Sequence, residues 1–221
     1  MSQRFKEVLG VQDTTIDHST VRSNGLRNDN EDDRREARRF TSLIKAAKIA
    51  FDEHEAICVI RDVSTTGIKL RLFHPLPDRE HFDLILPSGA CYKIEHVRSE
   101  LDNHSFTFEG EVDLEGLVAD GTRFAKRQLR VQLSVPAHVT AYPERHKSVV
   151  HNISQQGALL HTQAMFAVQQ PVTLEIQGFP NIRAKVRWRR DQFYGLAFDN
   201  TFSLQDFALR AAALQGFAKQ S

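Results

Sequence analysis

From Lys45 onward, apolar and polar residues alternate in short bursts rather than at the 3.6-residue period of helices. The runs KAAKIAF, AICVIRDV, GIKLRLF, FDLILP, YKIEHV and SFTFEG are each separated by turn residues, including EHE, DVSTTG and HPLPDRE. Period-two alternation bounded by Gly, Pro, Asp and Ser predicts β-strands. A second series follows: VPAHVTAY, SVVHNI, GALLHT, PVTLEI, RAKVRWR and YGLAF. Strand edges invite foreign pairing, so so many short strands per ~90 residues predict closed or nearly closed barrels.

The two series are copies of one plan. Asp62-Val-Ser-Thr-Thr-Gly-Ile-Lys-Leu70 aligns with Asn152-Ile-Ser-Gln-Gln-Gly-Ala-Leu-Leu160, and Phe106-Thr-Phe108 with Leu196-Ala-Phe198, both at an offset of 90. Distant markers that keep one offset indicate duplication of a whole domain. The expected fold class is mainly β, with two tandem antiparallel barrels. The expected divisions are a flexible arm at 1–30, a first domain at 31–110, a linker at 111–122 containing Gly116 and Gly121, and a second domain at 123–221. Within the first, EDDRREARRF puts acids before bases and Glu31 four residues before Arg35, an order that suits a short helix.

The chain closes on an amphipathic helix. Ser203 is a good N-cap with Asp206 three positions on, and Phe202 and Phe207 are spaced as a hydrophobic staple. Leu204, Phe207, Ala208, Ala211 and Leu214 share one face, which covers either the second barrel or a partner.

Of the 221 residues, 29 are Lys or Arg and 28 Asp or Glu, a net charge of +1 that leaves no global footprint for wrapping DNA or RNA or coating a membrane. An anion site must therefore be a local cluster. No apolar run reaches the ~18 residues of a membrane span, and no targeting pattern opens the chain; the expected setting is cytoplasmic, without membrane insertion. Cys58 and Cys91 lack CxxC spacing and are expected to be buried reduced thiols, with a disulfide or metal pair as the alternative. No histidine falls in a zinc-site spacing; His54, between two glutamates at an expected hairpin tip, reads as a surface residue. Neither a nucleophile elbow nor a phosphate-binding glycine loop is present, so an enzyme is not expected, nor a metal or cofactor. Trp188 reads as a barrel packing residue, with a ligand platform as its alternative.

Two short motifs carry chemistry. Arg34, Arg35, Arg38 and Arg39 form either a solvated helical face or an anion clamp; a planar guanidinium stacks on bases, bonds guanine through two donors and pairs with phosphate. The turn Asp62-Val-Ser64-Thr-Thr-Gly67 alone reads as a hairpin, with Gly67 supplying an unusual backbone conformation. Taken together and in this order, RxxxR before the first strand and DxSxxG after the second resemble the signature of the PilZ family. RRFTSLIKAAKIAF and CVIRDVSTTGIKL are similar to PilZ domains of the alphaproteobacterial style, and KVRWRRDQFYGLAF to the closing strands of many. The resemblance covers roughly 34–110 and 123–202.

That resemblance implies a bacterial, non-catalytic receptor for the second messenger cyclic di-GMP that signals to a protein partner. The alternative is a degenerate PilZ adaptor acting through protein contacts alone. Carried over by position, Arg39 and Arg35 form the clamp, with Arg34 adding a stacking surface; the pair Arg34 and Arg38 is the other register. Asp62 is expected to accept from guanine, Ser64 to bond a base edge or phosphate, and Gly67 to keep the turn clear. The second copy keeps Arg130, Asn152, Ser154 and Gly157 but has Lys126 four residues before Arg130. Lysine lacks the two-donor fork, so this site is expected to be weaker unless Arg127 or Arg123 substitutes.

Overall fold

The computed structural model of the chain describes residues 40–119 and 128–217, with 40–43 and 119 by their backbone only. The expected arm, the expected short helix in EDDRREARRF as far as Arg39 and the four clustered arginines lie outside these residues; the last residue of that stretch, Phe40, opens a strand. Within them stand twelve strands and two helices: β1 (Phe40–Phe51), β2 (His54–Val63), β3 (Gly67–Leu72), β4 (His81–Ile85), β5 (Cys91–Glu100), β6 (Asn103–Phe108) and α1 (Leu114–Ala119), then β7 (Val131–Ala141), β8 (Glu144–Ser154), β9 (Gly157–His161), β10 (Pro171–Ile176), β11 (Ile182–Arg190), β12 (Phe193–Phe198) and α2 (Leu204–Leu214).

Each set of six strands closes into an antiparallel barrel. The strand order β1-β2-β3-β6-β5-β4 in the first is repeated as β7-β8-β9-β12-β11-β10 in the second. Alternation fills the interiors as the sequence predicts: Ile68, Leu70 and Leu72 of β3 are buried, as are Val172, Leu174 and Ile176 of β10. Burying one face of every strand supplies the main driving force, about 25 cal/mol per Å² of apolar surface.

Both first strands begin upstream of the predicted runs. Phe40 pairs with Val63 and Thr41 with Asp62, ahead of an irregularity between Thr41 and Lys45. Val131 pairs with Ile153 and Gln132 with Asn152, ahead of another between Gln132 and Val135. Each insertion re-aims the strand, and the longer one in β1 explains why Phe40 and Val131 match at 91 while the later markers match at 90.

The stretch read as a linker contains α1, whose Leu114 and Leu117 join the first barrel's core. Helix α2 starts as predicted: the Asp206 backbone N–H donates to Ser203 Oγ at 3.1 Å, a cap worth about 1 kcal/mol. Phe207, Ala208 and Ala211 pack into the second barrel's core, so the helix covers its own barrel. It also reaches the first. Gln215 Nε2 donates to the Glu55 carbonyl and Gln215 Oε1 accepts from the Glu55 N–H, both at 2.8 Å.

The barrels meet along β2. Ala56, Cys58 and Ile60 face their own core, whereas Ile57, only 1% exposed, belongs to the core cluster of the second barrel. Beside it runs a nearly buried polar relay. Lys48 Nζ donates to Glu55 Oε1 and to the Arg130 carbonyl, each at 2.8 Å, and the Gln132 N–H donates to Glu55 Oε2 at 2.7 Å.

Two expectations are corrected. His54 is not a hairpin tip: the turn is Asp52–Glu53, Asp52 adopts a positive φ of 49°, and His54 opens β2 half-buried, stacked on Phe51 and in edge contact with Phe217. Of the cysteines, Cys58 is buried but Cys91, at the start of β5, is exposed; both are free thiols. Among the described residues, no helix is long and apolar enough to cross a membrane, and no cluster of His, Cys, Asp or Glu is grouped to hold a metal.

Candidate functional site

The DxSxxG motif forms the β2–β3 turn. The Ser64 N–H donates to the Gly67 carbonyl at 2.8 Å, and the Gly67 N–H donates to Ser64 Oγ at 3.0 Å. Ser64 Oγ also donates to the Gly67 carbonyl at 3.2 Å, so the hydroxyl expected to bond a ligand is engaged in holding the turn. Gly67 is required for a reason other than the expected one. Its φ is not positive; a Cβ there would stand 2.8 Å from the Phe106 carbonyl oxygen of β6. Absence of a side chain lets β3 and β6 approach. The same holds at Gly157, whose Cβ would run into the Leu196 carbonyl.

Beside this turn opens a cavity of about 320 Å³ that brings Asp62, Ser64 and Gly67 together with Lys69, Ser105 and Arg98. Strand register explains the grouping. Asp62 of β2 pairs with Lys69 of β3, Lys69 with Ser105 of β6, and Ser105 with Arg98 of β5. Four residues from four strands thus form one rung across the barrel wall. Asp62 Oδ1 is shielded from solvent and has no hydrogen-bond partner among the described residues. A buried acceptor without a donor is costly and invites a ligand N–H. Along the rest of the rung, Lys69 Nζ lies 3.4 Å from Glu100 Oε2 and Arg98 Nη2 lies 3.5 Å from Glu100 Oε1. These exposed pairs are weak, so both cations are available to an anion.

Lys69, Ser105 and Arg98 are absent from the sequence reading. Lys69 had a signal, because it falls two residues after Gly67 on the outward face. Arg98 had none: it reaches the rung through a bulge between His96 and Arg98.

In the second copy, Arg130 Nη1 donates to Asn152 Oδ1 at 2.7 Å, so these two site residues are joined to each other. Ser154 Oγ lies 3.2 Å from both the Gly157 carbonyl and Gln128 Oε1, again holding its turn. Arg34, Arg35, Arg38 and Arg39 lie outside the described residues, as do Arg123, Lys126 and Arg127. Trp188, read as packing, is 46% exposed on β11 and belongs to neither core cluster.

Comparison with known proteins bears on the second copy most directly. Residues 122–214 match the model of the PilZ domain. No curated protein matches the chain. Among solved structures, the PlzA protein of Borreliella burgdorferi in complex with c-di-GMP is similar at 16% identity over 77% of this chain and 87% of that one, with a TM-score of 0.34. The inhibitor of motility MotI/DgrA of Bacillus subtilis is similar at 12% identity over 80% and 97%, TM-score 0.33. YcgR of Escherichia coli in complex with c-di-GMP is similar at 12% over 78% and 81%, TM-score 0.27. The match to the PilZ domain thus falls on the second of the two barrels, at residues 122–214.

Proposed function

We propose that this chain is a non-catalytic, cytoplasmic bacterial receptor for cyclic di-GMP, built from two PilZ units at 31–110 and 123–221 joined by 111–122. It binds the nucleotide first at the β2–β3 turn and relays occupancy to a protein partner. The observation that carries this reading is the cavity rung, with an Asp62 carboxylate oxygen that has no partner among the described residues at one end, Lys69 beside it and Arg98 at the other end. Guanine offers N–H donors to a carboxylate, and the phosphates of a cyclic dinucleotide suit the cations. The start of β1 supports the clamp: Phe40 pairs with Val63 beside the turn, and in sequence Arg39 comes immediately before it, as Arg130 precedes Val131. Arg35 and Arg39 then grip guanine and phosphate, and Arg34 adds a stacking plane. At the second copy, the bond between Arg130 and Asn152 favours weaker binding through Lys126, Arg127, Arg130, Asn152 and Ser154, or an adaptor role without nucleotide.

Calorimetric titration with cyclic di-GMP, with cyclic di-AMP and GTP as controls, tests the reading. Arg35→Ala and Arg39→Ala should each cost on the order of 2–4 kcal/mol, as when one partner of a desolvated charged contact is truncated. Asn152→Ala should cost less. If Asn152→Ala abolishes binding while folded Arg35→Ala binds normally, the principal site belongs to the other barrel. No heat with any of the three nucleotides would leave only the adaptor.

A further inference from the structure

Strand β11, with the sequence IRAKVRWRR, holds five cations and no acid in nine residues, although the whole chain carries a net charge of only +1. The fold does not ask for them. The duplicate of this strand in the first barrel is β5, and the two keep one register. Glu95 pairs with Thr107 and Lys185 with Ala197, and the same bulge falls between His96 and Arg98 and between Val186 and Trp188. At that offset of 90, Lys93, Glu95, Val97, Ser99 and Glu100 occupy the places of Arg183, Lys185, Arg187, Arg189 and Arg190. With Arg98, β5 balances two cations against two carboxylates, and its cations are paired, Lys93 with Asp83 at 2.6 Å and Arg98 with Glu100 at 3.5 Å. One barrel wall is thus built neutral in the first copy and strongly positive in the second.

That positive charge lies open. Ile182, Ala184 and Val186 fill the core, which leaves Arg183, Lys185 and Arg187 on the outer face, and Arg189 and Arg190 are exposed beyond the bulge. Among the described residues, only Arg183 of the five forms an ion pair. Its Nε lies 3.6 Å from Asp199 Oδ2 with the side chain 81% exposed, a contact worth little. Across the sheet the cations face neutral residues: Arg183 pairs with Thr173, Lys185 with Pro171 and Ala197, and Arg190 with Phe193. Alternate residues of a strand stand about 6.7 Å apart, so the cations form a row roughly 23 Å long from Arg183 to Arg190. Because β11 is bonded to β10 on one side and β12 on the other, a partner meets its side chains and not its main chain.

A single row narrows the choice of partner. A flat anionic membrane calls for a broad field of cations, and the flanking β10 and β12 supply none. A regular row made mostly of arginine fits a polyanion whose charge repeats as regularly, and the planar guanidinium binds phosphate through paired donors. Rings lie beside the row. Phe193, the partner of Arg190, is 39% exposed, and its ring centroid stands 5.0 Å from that of His161 and 5.6 Å from that of His151. Cations that track a backbone, next to aromatic surfaces on which bases stack, are what a single strand needs. In a duplex the bases are already stacked on one another, and the rings would have no use.

We infer that the β11 row is a binding surface for single-stranded nucleic acid, with Arg183, Lys185, Arg187, Arg189 and Arg190 on the phosphates and the Phe193 ring cluster against bases. This goes beyond the receptor reading and does not depend on it. Such a row gives salt-sensitive, sequence-tolerant binding without wrapping.

The test is fluorescence anisotropy of a labelled single strand of about 12 nucleotides, within the range one small barrel covers, against the full chain with and without cyclic di-GMP. Four to five phosphate contacts predict a slope of about −3 in log affinity against log salt, roughly a sixtyfold loss between 50 and 200 mM. Lys185→Glu with Arg190→Glu copies what β5 carries at these places, Glu95 and Glu100, so the barrel should fold, as melting followed by circular dichroism checks. Binding should weaken roughly a hundredfold or more. Lys147→Glu with Arg79→Glu makes the same change in net charge on β8 and in the first barrel, away from the row, and should leave affinity within about twofold. Phe193→Ala should weaken binding roughly fivefold or more. Binding that survives the β11 reversal, that falls equally in both double variants, or that is absent at 50 mM salt with and without cyclic di-GMP overturns the inference. A duplex bound as tightly as the single strand, or Phe193→Ala without effect, overturns the single-strand assignment. Retention by phosphatidylserine vesicles in place of the oligonucleotide overturns it in favour of a membrane surface.

Discussion

Replacing Glu55 with alanine strikes the relay that joins the barrels. Both carboxylate oxygens are used, one by Lys48 Nζ at 2.8 Å and the other by the Gln132 N–H at 2.7 Å, and the side chains of Lys48 and Glu55 are only 10% and 15% exposed. Truncating one member of a buried pair typically costs 3–5 kcal/mol, because the remaining charge is left without its partner. Here the Lys48 ammonium keeps the Arg130 carbonyl, and some solvent reaches both groups, so the lower end applies: about 3 kcal/mol. Glu55→Gln should be intermediate, since an amide presents one acceptor where two donors converge. Combining Glu55→Ala with Lys48→Met removes both charges and should recover part of the loss. Urea unfolding followed by Trp188 emission, which reports the second barrel, and by far-ultraviolet circular dichroism, which reports both, is the assay. In the unsubstituted chain the two transitions should coincide; in Glu55→Ala they should separate as the connection between the barrels is reduced to Ile57, the Lys48 bond to the Arg130 carbonyl and the Gln215 bonds to the residue 55 backbone. A stability within about 0.5 kcal/mol of the parent, with coincident transitions, would refute the role given to this relay.

Three further outcomes follow from named contacts. A thiol reagent should modify Cys91 in the native chain and Cys58 only after denaturation, because burial pushes the Cys58 thiol far above the usual thiol range; two fast equivalents in native protein would contradict its placement. Burial lowers the pKa values of His74 and His104, so the fold prefers them neutral while the unfolded chain takes up protons at the ordinary value of 6.5. The melting temperature should therefore lose no stability from these groups above about pH 6.5 and fall below it; His74→Asn should flatten that fall, and an unchanged slope would remove His74 as a source. Gly67→Ala should cost about 1–3 kcal/mol in thermal or urea unfolding, since the new methyl meets a backbone oxygen, Phe106 O, that has little freedom to yield; an unchanged melting temperature would show that β3 and β6 separate at no cost.

Much of the fold was legible because it is written in local pattern. Alternation marked the strands, the offset of 90 between Asp62 and Asn152 marked the duplication, and Ser203 with its downstream apolar face marked α2. The turn residues Asp62, Ser64 and Gly67 were equally visible, since a hairpin needs a few special residues at fixed spacing. Their working reasons were not. Gly67 is glycine because β6 passes close by, and Ser64 spends its hydroxyl on the turn; both facts depend on neighbours that the motif does not contain. His54 reads as a surface residue until Phe51 and Phe217, the second 163 positions away, enclose it.

Tertiary structure alone decided the rest. The Lys48, Glu55, Gln132 and Gln215 contacts join residues up to 160 positions apart, and no periodicity encodes them. Arg98 and Trp188 came into line with Asp62 and Asn152 only because a bulge in each strand aligned them across three pairings. A strand's own sequence records which of its faces is buried, because side chains alternate within it. Which residue stands opposite is fixed by pairing with distant strands, and one inserted residue changes every neighbour beyond it.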